Sequence, residues 1–315
     1  MRTKGISSLK YLAAAFALKG FSATTSLRDL YRRLGNKYSQ NRHSTVSEVE
    51  IERGLWIYRI IDEANLRGDK FQTALELGTG WTHFYSIFLR SFFNLDITLF
   101  DVQDNRQFNA LKCRVKALSE MLPRKLDSEQ IGTAHFLSGI AETVSVAKDF
   151  EDLYMRLGLR FVIEPDGRLD SIKDGSFDCI FSVDVLEHVI ASSLPYTVNQ
   201  IHRILKPGGL SIHQIGLDDH LAHYAPGMPS KNYLRYSDWM WGLLFDNQLQ
   251  YINRVQLPGF LDMFGSVGFE IVSCETENDP SLLSLIKINK KYKRYDIHSL
   301  NATRGLIIHR KPIVR

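Results

Sequence analysis

At 315 residues, 44% hydrophobic and 23% charged, the chain has an ordinary globular composition with ample material for a core, arranged as one large elaborated domain or two modest ones. Its net charge of +4 is too small to indicate nucleic-acid binding, and no apolar run approaches the roughly 20 residues of a membrane-spanning helix. The three cysteines, Cys113, Cys179 and Cys274, are odd in number, far apart and never in a CxxC pair, which argues against a disulfide framework or a thiolate metal site and fits a reducing cytoplasm.

Residues 1–42 carry nine Lys or Arg against one acid, Asp29. Within them Tyr11–Leu18 is a short apolar block, but Lys10 and Lys19 crowd it and speak against a secretory signal. The expectation is a helix packed on the main body with a solvated basic face, the alternative being a peripheral membrane contact through residues 1–42. A second helix is expected from about Thr45 to Gly68. Thr45 with Glu48, or Ser47 with Glu50, fits a capping box, and Ile51, Leu55, Tyr58 and Ile61 give a helical stripe.

The pattern then changes to strands alternating with helix-length segments: 73–77, 96–100, 160–163, 177–183, 210–215, 269–273 and 305–309. Such alternation predicts an α/β fold, a doubly wound, seven-stranded and mostly parallel sheet covered on both faces. Residues 1–70 read as an N-terminal helical extension and 71–315 as the main domain. Insertions are expected at about 103–158, as helices, and 216–256, as a helical cap over the ligand.

The sharpest local signal is ELGTG, Glu76 to Gly80, directly after the first strand. Glycines there permit a tight turn and close approach of a ligand at the carboxyl end of the sheet. Asp101, about twenty residues on, closes the second strand, where an acid can accept hydrogen bonds from ribose hydroxyls. A nicotinamide site would favour GxGxxG, yet Gly78 and Gly80 are followed by Trp81, Thr82 and His83. S-adenosylmethionine (SAM) has no phosphate to cradle and fits the shorter motif.

Taken together, ELGTG, Asp101, DGSFDCIFSVDVLEHV (174–189) and ILKPGG (204–209) resemble, in order and spacing, the successive motifs of class I SAM-dependent methyltransferases, of the type 11/12 kind. The resemblance runs from Phe71 to Pro312. It implies a Rossmann-like fold with SAM as cofactor. Glu76, Gly78, Thr79 and Gly80 would lie at its methionine end, Asp101 and Val102 at its ribose, and Asp166 and Gly167 at its adenine. Asp184 and Leu186 would flank it after the fourth strand. Thr82 stands where the family often has a third glycine.

Methyl transfer to a hydroxyl benefits from a base, because a proton must leave. His188 is the first candidate; His220, with Asp219 as orienting acid, is the second. His213, His223, Arg235, Asn253 and Arg254 are candidate substrate contacts in or beside the aromatic-rich insertion. The place of an NPPY-like motif reads DVLE and no Pro-Cys nucleophile is present, so a nucleic-acid base is not the expected acceptor. The segments DH, YLRYS and NRVQ resemble methyltransferases of polysaccharide or secondary-metabolite pathways, which implies a glycan or small-molecule hydroxyl. Asp184, Glu187 and His188 also resemble the metal-binding ExxEH of some O-methyltransferases, including those of ubiquinone biosynthesis. With Asp at 184 and no fourth ligand in sight, a metal-free site is expected. The rival readings are methylation of RNA or protein, for which the basic run 287–295 would matter, and a SAM-fold protein that binds a partner without catalysis.

Overall fold

The computed structural model describes residues 2–42, 44–127, 130, 134, 136–279 and 282–313. Seven strands form one sheet in the order β3-β2-β1-β4-β5-β7-β6. They are β1 (Thr73–Leu77), β2 (Asp96–Asp101), β3 (Arg160–Ile163), β4 (Phe177–Val183), β5 (Leu205–Gly216), β6 (Glu270–Asn278) and β7 (Ala302–Arg310). β1 pairs in parallel with β2 and β4, and β2 with β3, while β6 and β7 are antiparallel. Crossovers between parallel strands need helix-length connections, which is the alternation read from the sequence.

Every expected strand is present, and the last three are longer than expected. β6 lies at the sheet edge with most of its residues exposed, so its polar segment Cys274–Asn278 carries no hydrophobic signal. Antiparallel pairing, from Glu270 opposite Arg310 to Asn278 opposite Ala302, draws both strands out.

The chain divides into two compact units. One comprises Gly35–Ser182, Gln200–Ile212 and Lys311–Arg315. Its helix α3 (Glu48–Leu66) starts with the Ser47–Glu50 capping box, each residue's side chain accepting from the other's backbone N–H. That helix buries Ile51, Leu55, Tyr58 and Ile61. Gly54 lets it approach α4 (Phe84–Arg90) closely, since a Cβ there would stand 2.8 Å from the Phe88 ring. The expected inserted helices are α5 (Phe108–Met121), α6 (Leu137–Val146) and α7 (Phe150–Leu157).

The other unit comprises Met1–Leu34, Val183–Asn199 and His213–Arg310. Residues 1–34 and 35–70 thus fall in different units. Helix α1 (Arg2–Ser22) turns Tyr11, Ala15 and Leu18 inward at i, i+4, i+7 spacing, onto a core holding Leu221, Tyr233, Trp241 and Phe245. Leu9 and Phe16 remain exposed on the same helix. No helix among the described residues is long and apolar enough to cross a membrane. The segment after β5 forms short 3-10 turns and a helix at Asp238–Leu244, which bears Trp239 outward and buries Trp241.

Candidate active site

In the first unit, β1 delivers the chain into Gly78 and Gly80, both at positive φ (73° and 64°). The N–H groups of Gly78 and Thr79 both donate to the Phe100 carbonyl, at 2.8 and 3.0 Å, so the loop is tied to the end of β2. Asp101 completes the tie. One oxygen accepts from the Gly80 N–H at 2.9 Å, the other from Val102 and Gln103 at 2.7 and 3.2 Å. Burial raises the Asp101 pKa, while these three N–H bonds oppose the rise. Gly167, at φ 65°, brings the turn after β3 against Val102, where a Cβ would stand 3.2 Å from Cγ1. Gly167 and Val102 are therefore neighbours.

These residues fit SAM. The space in front of Gly80 is open, with no atom within 4 Å of a Cβ placed there. The half-buried Asp101 keeps lone pairs for ribose hydroxyls, and Val102, 41% exposed, offers an apolar surface beside them. Glu76 has a different task. It is buried, and one carboxylate oxygen accepts from the hydroxyls of Thr79 and Ser86. It shapes the loop from beneath, and burial pushes its pKa up to about 7.

The departure from a third glycine is absorbed one residue later. Thr82 is buried, and His83 takes the left-handed conformation at φ 48°. A left-handed non-glycine residue costs about 1–2 kcal/mol and needs surroundings that hold it. Here the ring is fixed at both nitrogens, by Thr79 Oγ1 at 2.8 Å and the Tyr154 hydroxyl at 2.7 Å, and packs among Phe150, Tyr154 and Phe161. The Thr79 hydroxyl proton goes to Glu76, so His83 Nδ1 donates to Thr79 and Nε2 accepts from Tyr154. Burial keeps the ring neutral, with a pKa near 3.

In the second unit, Asp184 leaves β4 at φ 55° and its carboxylate pairs with the Arg304 guanidinium. A 3-10 turn, Leu186–His188, follows. Asn253 holds that turn: its Nδ2 donates to the carbonyls of Leu186 and Val189 at 2.7 and 3.1 Å, and its N–H to Glu187 at 2.8 Å. Glu187 is 3% exposed; Oε1 accepts from the Gly216 N–H at 2.9 Å, while Oε2 is buried without a hydrogen-bond partner. Burial, then the nearby Asp184 charge, raises its pKa well above the usual carboxylate range. His188 Nδ1 lies 2.7 Å from the Tyr251 carbonyl, which can only accept. Nδ1 therefore carries the proton, and in the neutral ring Nε2 is the bare nitrogen. The His220 ring lies 4.9 Å from that of His188, and burial followed by the His188 charge lowers its pKa to about 4. Among the described residues one group of side chains could hold a metal ion: Glu187, His188 and His220, whose ligand atoms all lie within 4.8 Å of one another.

The structure places the remaining candidates differently from the sequence reading. Asp219 is fully buried and accepts from the Tyr11 hydroxyl at 2.7 Å and the Leu221 N–H at 3.0 Å, so it anchors helix α1. The acid beside the histidines is Asp218, 2.6 Å from the exposed His223 and 3.9 Å from His220. His213 is wholly buried in β5 against Phe264, with no exposed surface to offer a substrate. Arg254 is spent on Asp238 and on the face of Trp241, 4.8 Å away. Arg235 is exposed and lines a cleft of about 420 Å³ with Lys287, Lys290 and Lys293. Tyr251, Gly216 and Arg304 were not legible as site residues, because their roles come from backbone groups or from a partner 120 positions away.

A model of the methyltransferase domain matches residues 27–274, well over half of the chain. Among solved structures, the chain resembles the Burkholderia thailandensis 1,6-didemethyltoxoflavin-N1-methyltransferase, at 15% identity and TM-score 0.43, over 79% of this chain and 75% of that one. It also resembles a SAM-dependent methyltransferase of Methanosarcina mazei, at 17% identity and TM-score 0.41, over 77% and 93%. A third is Haemonchus contortus phosphoethanolamine N-methyltransferase 2, at 17% identity and TM-score 0.41, over 77% of this chain and 49% of that one. With its glycine loop, its strand-end acid and a family match spanning both, the chain belongs to the methyltransferase-domain family and is a class I SAM-dependent methyltransferase.

Proposed function

We propose that the protein methylates a hydroxyl oxygen of a small molecule or glycan. SAM, when bound, supplies an already activated methyl group. What remains for the chain is to hold it, align the acceptor and deal with the acceptor's proton. The loop Gly78–Gly80, Asp101 and Val102 suit the first task. The observation that carries the acceptor reading is the cluster Glu187, His188 and His220, which begins four residues after β4 ends. Such a turn at the carboxyl end of a strand is where doubly wound sheets bind ligands. A nitrogen or carbon acceptor activated in advance would have less use for such a group; a hydroxyl, with a pKa far above 7, needs one.

The test has two stages. Calorimetric titration should give micromolar binding of SAM and S-adenosylhomocysteine, weakened at least tenfold in Asp101→Ala. Radiolabelled methyl transfer should then be screened over glycans, phenols, aliphatic alcohols, amines, RNA and protein. Transfer confined to amines, RNA or protein would reject the hydroxyl reading while leaving the cofactor site intact.

A further inference from the structure

We propose that the cleft between the turn Asn232–Arg235 and the segment 287–293 binds a phosphate ester, its phosphate held by Arg235, Lys287, Lys290 and Lys293. The site goes beyond the acceptor reading above and does not rest on it. All of its residues belong to one compact unit.

The basic run at 287–294 is sorted by direction and is not one solvated face. Lys287, Lys290 and Lys293, three residues apart, line the cleft. The last two bracket a 3-10 turn, Lys290–Tyr292, in which residues three apart eclipse. Between them Lys291 reaches Asp238, and Tyr292 is wholly buried in the core, its ring 6.3 Å from that of Tyr233. Arg294 lies over the Tyr295 ring at 4.9 Å. Backbone bonds hold this wall in place. The Asn289 N–H donates to the Leu234 carbonyl at 2.8 Å, which ties the segment to the turn that carries Arg235. Asn289 Oδ1 accepts from the Lys291 N–H at 3.2 Å and starts the 3-10 turn.

Charge decides what such a cleft takes. Four cationic side chains line it and no acid does. Asp238, two residues before the lining Met240, already accepts from Arg254 at 2.5 Å and from Lys291. Among the described residues no carboxylate pairs with any of the four. Arg235 makes a long bond, 3.4 Å from Nη1 to Asn232 Oδ1, and the rest of its fork is available. Cations gathered around one concavity repel each other, and the concave surface concentrates their field on an anion inside it. A phosphate ester, with up to about two charges and three acceptor oxygens, relieves that repulsion. It also matches an Arg fork set beside Lys point charges.

The cleft has room for more than the phosphate. Its volume of about 420 Å³ falls in the roughly 300–1,000 Å³ range of small-molecule sites. Tyr236, Met240 and Ile288 supply apolar surface beside the cations. The ligand is therefore a phosphate joined to an apolar or ring-shaped body, as in a soluble ester or the headgroup end of an acidic lipid. One concavity with an apolar wall suits this chemistry better than a nucleic-acid strand, which binds along an extended basic groove.

Full-length protein should be titrated by calorimetry with inorganic phosphate, pyrophosphate and phenyl phosphate at constant ionic strength. The expected result is one saturable equivalent, with phenyl phosphate bound more tightly than inorganic phosphate. Arg235→Gln, Lys287→Gln, Lys290→Gln and Lys293→Gln should each weaken pyrophosphate binding by roughly three- to tenfold, and their combination should abolish it. Lys116→Gln, an equal loss of charge at an exposed position of α5, should bind as the wild type does. Sedimentation with phosphatidylcholine vesicles, with and without phosphatidic acid, identifies the source of the phosphate. Capture that needs both phosphatidic acid and the four cations assigns a lipid headgroup; soluble probes bound without capture assign a soluble ester. Absence of both saturable binding and capture would overturn the site. Unchanged binding in the combined variant, or an equal loss in Lys116→Gln, would do the same. So would an RNA oligonucleotide that binds through these four residues and is not displaced by pyrophosphate.

Discussion

The hydrogen bond between Tyr11 and Asp219 makes a quantitative test of how the first helix is attached. Tyr11 is 1% exposed and Asp219 fully buried, with 2.7 Å between the hydroxyl and the carboxylate. Burial pushes Asp219 up to about 7, and the Tyr11 donor opposes that rise. In Tyr11→Phe the ring still packs against Phe245, but the carboxylate keeps only the Leu221 N–H among these two bonds. Near pH 5.5 Asp219 is mostly protonated and the loss should cost about 1 kcal/mol, as for a neutral hydrogen bond. Near pH 8 it is mostly ionised, and losing a bond to a charged acceptor should cost about 1.5–3 kcal/mol. The sign follows from linkage: the variant's folded-state pKa is higher still, so its stability keeps falling with pH after the wild type has levelled off. Urea unfolding followed by tryptophan fluorescence at the two pH values measures both costs. A penalty below about 0.5 kcal/mol, or one equal at both pH values, would refute the reasoning.

Three further outcomes are expected. Glu76, raised to about 7 by burial, binds a proton more tightly in the folded state, so its contribution to stability falls as pH rises from about 4.5 through 7. Glu76→Gln should flatten that part of the stability–pH curve, and an unchanged slope in denaturant midpoints would count against it. His213 is held near 3 by burial, so the unfolded state alone takes up its proton below about 6.5 and stability drops as pH falls from there. His213→Phe, stacking on Phe264, should soften that drop in melts between pH 6.5 and 4. Finally, Gly216→Ala places a Cβ 2.5 Å from Glu187 Oε1 and should destabilise by about 1–3 kcal/mol. Urea unfolding of the variant beside the wild type checks this.

The sheet and the glycine loop were legible because their signals are local. Buried strands such as Ile97–Phe100 read as largely apolar runs, and a glycine pair followed by a strand-end acid has a fixed spacing set by one strand–turn–helix unit. The Ser47–Glu50 cap is local too, its partners three residues apart. Edge strand β6 ran longer than its hydrophobic pattern, since an exposed strand needs no apolar residues beyond its pairing partner.

The assignments around the histidines depended on contacts that sequence spacing does not encode. Asp218 and Asp219 are adjacent, and period alone does not say which faces a histidine; in the structure Tyr11, 208 positions away, takes Asp219. His213, Asn253 and Arg254 looked like ligand contacts by composition, yet burial against Phe264, backbone carbonyls and Trp241 gave each a packing role. The sequence by itself determined the fold family, the glycine loop and the turn that carries Glu187 and His188, because short-range patterning and backbone geometry specify those. Only the tertiary structure decided which side chains share a site, because His220, Tyr251 and Gly216 reach that turn through long-range burial and hydrogen bonding, which hold partners together in space without any regular separation along the chain.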